Sequence, residues 1–254
     1  MAHLNHFELL KDLIRSRPSY LALDIGTGSG QSAFPLTELF PRVVAIDSCE
    51  ECILQGRKLL FRYRKRLRLK IMDGTILRFP QDTFDCVTSY WSFHHFRYLN
   101  RILQEVYRVL QPGGLFFGVD HLDQAMNPKQ DNYRELHKLK IEVERALGKD
   151  HFDLIQPQAM VKNLKANGFR DVGFELFLSA NREIKVNGNP FPKMDFLEKT
   201  KAMVSQLKNT IELLGTKKEE YLLRLEKIVQ QIEKVGIEHQ PYYAVYGFKP
   251  LEEA

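Results

Sequence analysis

Short apolar runs alternate with amphipathic stretches along the first half of the chain. Leu4, Leu9, Leu10, Leu13 and Ile14 recur on one helix face, and Pro18 ends that helix. Residues 20–25 form an apolar run that leads into glycines, which predicts a buried strand. Residues 33–39 read as a helix closed by Pro41, and 43–46 as a second strand ending at Asp47. A helix over about 50–66 and a third strand over about 67–72 follow. Residues 84–89 predict a fourth strand and 115–119 a fifth. Between them Ile102, Val106, Val109 and Leu110 share a helix face that stops before Pro112-Gly113-Gly114. Regular alternation of strand and helix predicts an α/β fold with a mostly parallel sheet covered on both faces.

The second half is more helical. A polar helix over about 132–147 ends at Gly148, and another opens at Pro157 and ends at Asn167-Gly168. Residues 172–178 predict a sixth strand. Phe196, Thr200, Met203, Leu207, Ile211 and Leu214 then form one helical stripe, broken by Gly215. Thr216 with Glu219 reads as a capping box for a second helix, striped by Leu222, Leu225, Ile228 or Val229, Ile232 and Val235. An antiparallel helical hairpin is the natural outcome. Residues 242–248 alternate like a last strand. The expected organisation is one domain over 1–254, with a helical lid segment at 121–150 and a helical-hairpin insertion at 191–237.

Composition narrows the class. A chain of 254 residues, 44% hydrophobic, can bury the core of one such domain. The formal net charge of +5 permits an anionic partner without demanding one. Cys49 and Cys52 form a C-x-x-C with no second cysteine or histidine pair at zinc-site spacing, so no metal site is expected. With Cys86 they read as reduced thiols of a cytoplasmic protein. The N-terminal stretch lacks the apolar core of a signal peptide, and no apolar run approaches the length of a membrane span.

The chemistry concentrates at Leu23-Asp24-Ile25-Gly26-Thr27-Gly28-Ser29-Gly30, directly after the first strand. Glycines let backbone approach a ligand at a strand's carboxyl end. A dinucleotide fingerprint needs Gly or Ala where Gln31 stands, which disfavours a nicotinamide oxidoreductase. Asp24 is unfavourable beside a pyrophosphate but can help orient a cationic amine. That favours S-adenosylmethionine, which carries an ammonium and a sulfonium but no phosphate. Asp47, about 20 residues on, stands where a carboxylate accepts both ribose hydroxyls. Asp73-Gly74-Thr75 can accept from an adenine amino group and let the ring approach.

These segments, with 79–85, Ser92-Phe93-His94-His95-Phe96 and the helix 105–110 leading into Pro112-Gly113-Gly114, resemble the class I methyltransferases over about 23–115. The branch resembled is that of quinone-biosynthesis and other small-molecule enzymes. The resemblance implies a Rossmann-like sheet of seven strands whose last strand runs antiparallel. It implies that S-adenosylmethionine is the cofactor and S-adenosylhomocysteine the product. Asp47 would bind ribose and Asp73 would sit at adenine. Gly26 and Gly28 would line the methionine moiety, and the backbone at Ser89 and Tyr90 would receive its ammonium. Thr27, Ser48 and Thr75 complete the cofactor set.

Methyl transfer is an in-line displacement for which alignment and exclusion of water supply much of the rate. A base is needed only if the acceptor must lose a proton. His94 and His121, at the carboxyl edge of the sheet, are the candidate catalytic residues. Trp91, His94, His121 and Tyr133 are candidates for the acceptor pocket, whereas packing is favoured for His95 and Phe93. A small-molecule acceptor is the first reading. An RNA or protein methyltransferase using the basic helix 57–70 is an alternative that is not favoured. A non-catalytic adenosine-binding partner subunit is another. No Asn-Pro-Pro-Tyr loop and no Pro-Cys loop is present, which removes support for adenine-amine and cytosine-C5 chemistry. Cys86, inside a strand, reads as packed.

Overall fold

The computed structural model describes residues 5–17, 19–178 and 196–251, with the backbone of 185–186 and 189–190. Leu4, Pro18 and positions 191–195 of the expected insertion lie outside these residues.

Seven strands form the main sheet: β1 (Leu21–Ile25), β2 (Arg42–Asp47), β3 (Leu67–Ile71), β4 (Phe84–Tyr90), β5 (Leu110–His121), β6 (Arg170–Phe177) and, last in the chain, β9 (Tyr242–Phe248). Their order is β3-β2-β1-β4-β5-β9-β6. The pairs from β3 across to β5 are parallel, whereas β9 runs antiparallel to both β5 and β6. This is the Rossmann-like methyltransferase architecture, with its antiparallel last strand. A two-stranded ribbon pairs β7 (Lys185–Val186) with β8 (Asn189–Pro190).

Side-chain alternation along the strands sorts the core into two layers. Ala22, Leu115, Phe117, Tyr242 and Ala244 face a layer that includes Leu9 and Leu10 of α1 (His6–Ile14) and Ile53 of α2 (Glu50–Leu59). Their neighbours Leu23, Ile25, Phe116, Tyr243 and Val245 face the opposite layer. There they meet Ile102, Leu103 and Val106 of α3 (Leu99–Val109) and Met160 and Leu164 of α5 (Pro157–Ala166). A third cluster lies outside the sheet. It joins α4 (Pro128–Ala146) to α6 (Phe196–Ile211) and α7 (Lys218–Val235) through Leu136, Leu139, Val143, Leu207, Ile211 and Leu225.

Local chemistry sets the helix ends. Asn5 Oδ1 accepts from Phe7 and Glu8 N–H, Asn127 Oδ1 accepts from Gln130 N–H, and Pro128 and Pro157 occupy first-turn positions.

Five expectations are corrected. Residues 33–39 do not form an α-helix; the chain makes a 3-10 turn over Pro35–Glu38, with Pro35 in its first turn and Thr37 Oγ1 donating to Phe34 O. The helix expected to reach residue 66 ends at Leu59, followed by a 3-10 turn at Phe61–Tyr63. The basic run 57–70 is therefore not a helix: it spans the end of α2, that turn and the edge strand β3. Thr216 does not cap α7. Gly215, at φ 59°, turns the chain inside a 3-10 segment, and Lys217 takes the cap position without a side-chain bond. The sixth strand starts at Arg170 rather than 172.

Candidate cofactor cavity and the histidine cluster beside it

β1 delivers the chain into the glycine turn at the carboxyl edge of the sheet. Gly26 and Thr27 N–H both donate to Ile46 O, at 2.9 and 3.1 Å, so the turn is tied to the end of β2. Asp47 makes the second tie, accepting from Gly28 N at 2.7 Å and from Cys49 N at 2.8 Å. A carboxylate oxygen has a second lone pair, so these bonds orient Asp47 without using up its capacity to accept from hydroxyls. Gly28 has φ +55°, and a Cβ there would meet nothing within 4 Å, so this part of the turn faces open space. Gly56 of α2 serves the opposite purpose. A Cβ there would lie 2.3 Å from Ser29 O, so helix and turn touch backbone to backbone.

Asp24 lies beneath the turn, fully buried. It accepts from Thr88 Oγ1 at 2.7 Å and from Ser32 Oγ at 2.9 Å. Burial pushes its carboxyl up to about 6 despite those bonds. Ser89 Oγ donates to Ile25 O at 3.0 Å. Neither Asp24 nor Ser89 lines the cavity; both brace the backbone that does.

The cavity holds about 920 Å³. Gly26, Thr27, Gly28, Asp47 and Ser48 line one part, Asp73, Gly74 and Thr75 another, and Tyr90 and Trp91 a third. Asp73 is exposed and accepts from Thr75 N at 2.8 Å through Oδ1. Volume, open glycine backbone and two strand-end carboxylates suit a nucleoside cofactor with a short amino-acid tail. His95, Arg97, Glu144, Lys149 and Asp150 also border the space. The loop after α4 thus reaches the cavity, held by ion pairing of Arg97 with Asp150. None of these five was expected at the cofactor from the sequence.

Cys49 and Cys52 line the same cavity, and the structure joins them in a disulfide. This corrects the expectation of reduced thiols. Cys49 caps α2 and Cys52 sits in its first turn, with their Cα atoms 5.3 Å apart, within bridging range. The inference of a cytoplasmic compartment loses the support it took from them. Cys86 is buried as expected, and burial pushes its thiol up. No described helix is long and apolar enough to cross a membrane.

The acceptor candidates divide. Trp91 borders the cavity, and its ring lies 4.6 Å from that of His121. His121 is partly buried and does not line the cavity, and Tyr133 is a further step away, 5.9 Å from His121. His94 is buried, with Nδ1 2.8 and 2.9 Å from the two oxygens of Asp120. It packs against His95, His137 and His151, with ring centroids 4.4, 5.3 and 5.1 Å away. His151 Nδ1 meets Glu144 at 2.6 Å. Desolvation holds His121 down to about 3 and His137 and His151 below the usual imidazole value. His137 and His151 carry no motif that marks them in sequence. The only signal is a histidine on the buried face of α4, between Leu136 and Leu139.

The fold is that of the Rossmann-like methyltransferases, and residues 23–118 match the family model described as a methyltransferase domain. Over 108 residues the chain is 32% identical to the uncharacterized methyltransferase YcgJ of Bacillus subtilis, covering 41% of this chain and 42% of that protein. Over 105 residues it is 32% identical to a demethylmenaquinone methyltransferase of Symbiobacterium thermophilum, covering 39% and 42%. The alignments thus span about two fifths of these relatives. Among solved structures, YcgJ superposes over 98% of this chain and 99% of its own, with a TM-score of 0.59 at 17% identity. A Haemonchus contortus phosphoethanolamine N-methyltransferase 2, solved with S-adenosylhomocysteine, covers 96% of this chain and 52% of that one (TM-score 0.58, 15% identity). These likenesses establish the fold.

Proposed function

We propose that the chain transfers the methyl group of S-adenosylmethionine to a small-molecule acceptor. The observation that carries this is the single cavity uniting Gly26–Gly28, Asp47 and Asp73–Thr75 with Trp91 at its border. Asp47 would hold the ribose hydroxyls, Asp73 the adenine edge, and the Gly26–Gly28 backbone the methionine portion. The bound cofactor supplies an activated, electrophilic methyl on a sulfonium. The chain's own part is to align the acceptor and exclude water. Helix α4, the loop to Asp150 and the α6–α7 pair would form the cover over the acceptor, with Trp91 as its apolar wall and His121 behind it. His94 would act through position rather than direct contact, since it does not border the cavity. Relatives named for demethylmenaquinone and a fold neighbour named for phosphoethanolamine support an acceptor of small-molecule size.

The basic run gives little support to a macromolecular acceptor. Arg57 donates to Leu69 O and Arg66 to Thr37 O, so two of its cations serve the fold. Lys65, Arg66 and Arg68 border a cleft with Tyr20 and Arg42, at the amino ends of β1 and β2, whereas the cavity lies at their carboxyl ends.

The test has two parts. Titration calorimetry with S-adenosylhomocysteine should show one binding event per chain. Incubation of a cell extract with methyl-tritiated cofactor should place label in the organic-extractable fraction. Label confined to RNA or protein would refute the small-molecule reading. Binding without any transfer would favour a non-catalytic partner subunit.

A further inference from the structure

We propose that the chain binds one divalent first-row transition-metal ion between His94, His137 and His151. The site would sit directly behind His95 and Glu144, two residues that border the cofactor cavity. One ring nitrogen from each of the three buried histidines lies within 4.8 Å of the others, the only such group among the described residues. Metal–imidazole bonds of about 2.0–2.1 Å place tetrahedral ligand nitrogens about 3.4 Å apart, so closing the site requires ring movements of about an ångström.

The hydrogen bonds around the cluster leave the required lone pairs. His94 and His151 each turn Nδ1 toward a carboxylate, Asp120 and Glu144 respectively. A neutral ring that donates Nδ1–H to a carboxylate keeps a lone pair on Nε2. Carboxylates behind ligating histidines do this in metal sites, fixing the tautomer and raising ligand basicity. His151 Nε2 and His137 Nδ1 are both buried without a hydrogen-bond partner, which is unfavourable for polar atoms unless something occupies the space they face. A dication would occupy that space, and Asp120 and Glu144 would balance its charge. Lys140 approaches Glu144 at 4.0 Å and offsets part of that balance, while Asp120 is fully buried.

The donor set chooses the ion. Neutral imidazoles suit zinc, iron(II), cobalt, nickel or copper and are poor ligands for magnesium or calcium. Three histidines with one position open are the pattern of reactive sites rather than closed structural ones. The ring of His121, whose Nδ1 is also buried without a partner, lies 5.0 Å from that of His137, and Trp91 connects it to the cavity.

The experiment uses the full chain without an affinity tag, stripped with a chelator and reloaded with Co²⁺ and, separately, Zn²⁺. One metal per chain is expected, with the visible ligand-field bands of four- or five-coordinate Co²⁺ and displacement by Zn²⁺. His137→Ala and His151→Ala should each weaken Zn²⁺ binding at least tenfold. Glu144→Gln, which leaves the ligands in place, should weaken it about 10–100-fold. The Cys49→Ser/Cys52→Ser variant should bind as tightly as the parent. Absence of stoichiometric binding by the parent overturns the proposal, and so does binding that is lost with the cysteines but kept in His137→Ala.

Discussion

Asp24→Asn should stabilise the ligand-free protein at neutral pH, and the gain should depend on pH in a defined way. In the folded chain Asp24 is fully buried, and its carboxyl rises from an ordinary 3.8 to about 6. Desolvation is the main cause, the hydrogen bonds from Thr88, Thr27 and Ser32 oppose it, and the charge of Asp47 adds to it. Between about pH 4 and 6 the folded state therefore keeps a proton that the unfolded chain has released. Stability falls as pH rises through that window and levels off above it. The rise in the carboxyl's value corresponds to about 3 kcal/mol of lost stability at pH 7, absent below about pH 4 where both states are protonated. An asparagine is the same size, and its amide can still accept from Thr88 while donating to Ser32. That exchange of hydrogen bonds adds an offset of about 1 kcal/mol that does not vary with pH. Urea unfolding of both proteins in half-unit steps from pH 4 to 8 isolates the slope. The variant's advantage should grow by about 2–3 kcal/mol between pH 4 and 7 and then hold. A difference that stays constant over that range would refute the assignment of a destabilising buried charge. The same substitution should weaken S-adenosylhomocysteine binding, because the charge is proposed to favour a cationic ligand.

Three further outcomes check the cavity and its cover. Asp47→Ala should weaken S-adenosylhomocysteine binding by about 1–3 kcal/mol in calorimetry, through loss of the ribose acceptor and of the bonds to Gly28 and Cys49; an unchanged affinity would contradict the site. Gly56→Ala should drive α2 off the glycine turn, because its Cβ would meet a backbone oxygen. Thermal unfolding should report a loss of about 1–3 kcal/mol, along with weaker cofactor binding. Ile211→Ala should destabilise the α4–α6–α7 cluster by about 2–5 kcal/mol, and hydrogen exchange should show the loss in those helices before the sheet.

The sheet was legible because burial on both faces makes each central strand a short apolar run, and because glycines and carboxylates mark the strand ends. Val43, Ala45 and Ile46 of β2 and Phe84, Cys86 and Val87 of β4 are all buried, and both segments read as strands. The errors fall where local geometry competes with periodicity. Gly215 bends a stretch whose spacing alone looks helical, and residues 33–39 close into a short 3-10 turn. The basic run misled for a related reason: Leu67 and Leu69 face inward at a strand's period of two, yet they follow a genuine helix without an intervening proline or glycine.

The candidate residues that line the cavity could be read for the same reason as the strands, since each lies within a few positions of a strand's carboxyl end. The histidine cluster lies at the other extreme. His94 comes from the turn after β4, His137 from the middle of α4 and His151 from the loop that follows it. Only the approach of α4 to the turn after β4 brings them together, and spacing along the chain carries no trace of it. The apolar stripe of α4 records a different contact, because Leu136, Leu139 and Val143 meet α6 and α7. A histidine amid such a stripe loses its water on folding, and needs a partner to replace it. At His94 and His151 that partner includes a carboxylate, itself buried or partly buried and not needed for packing. Four imidazoles and two carboxylates in one largely buried region are a poor way to fill space, since apolar side chains of similar volume would do so at lower energetic cost. Their presence beside the cavity is therefore better explained by a ligand with lone-pair affinity than by stability of the fold.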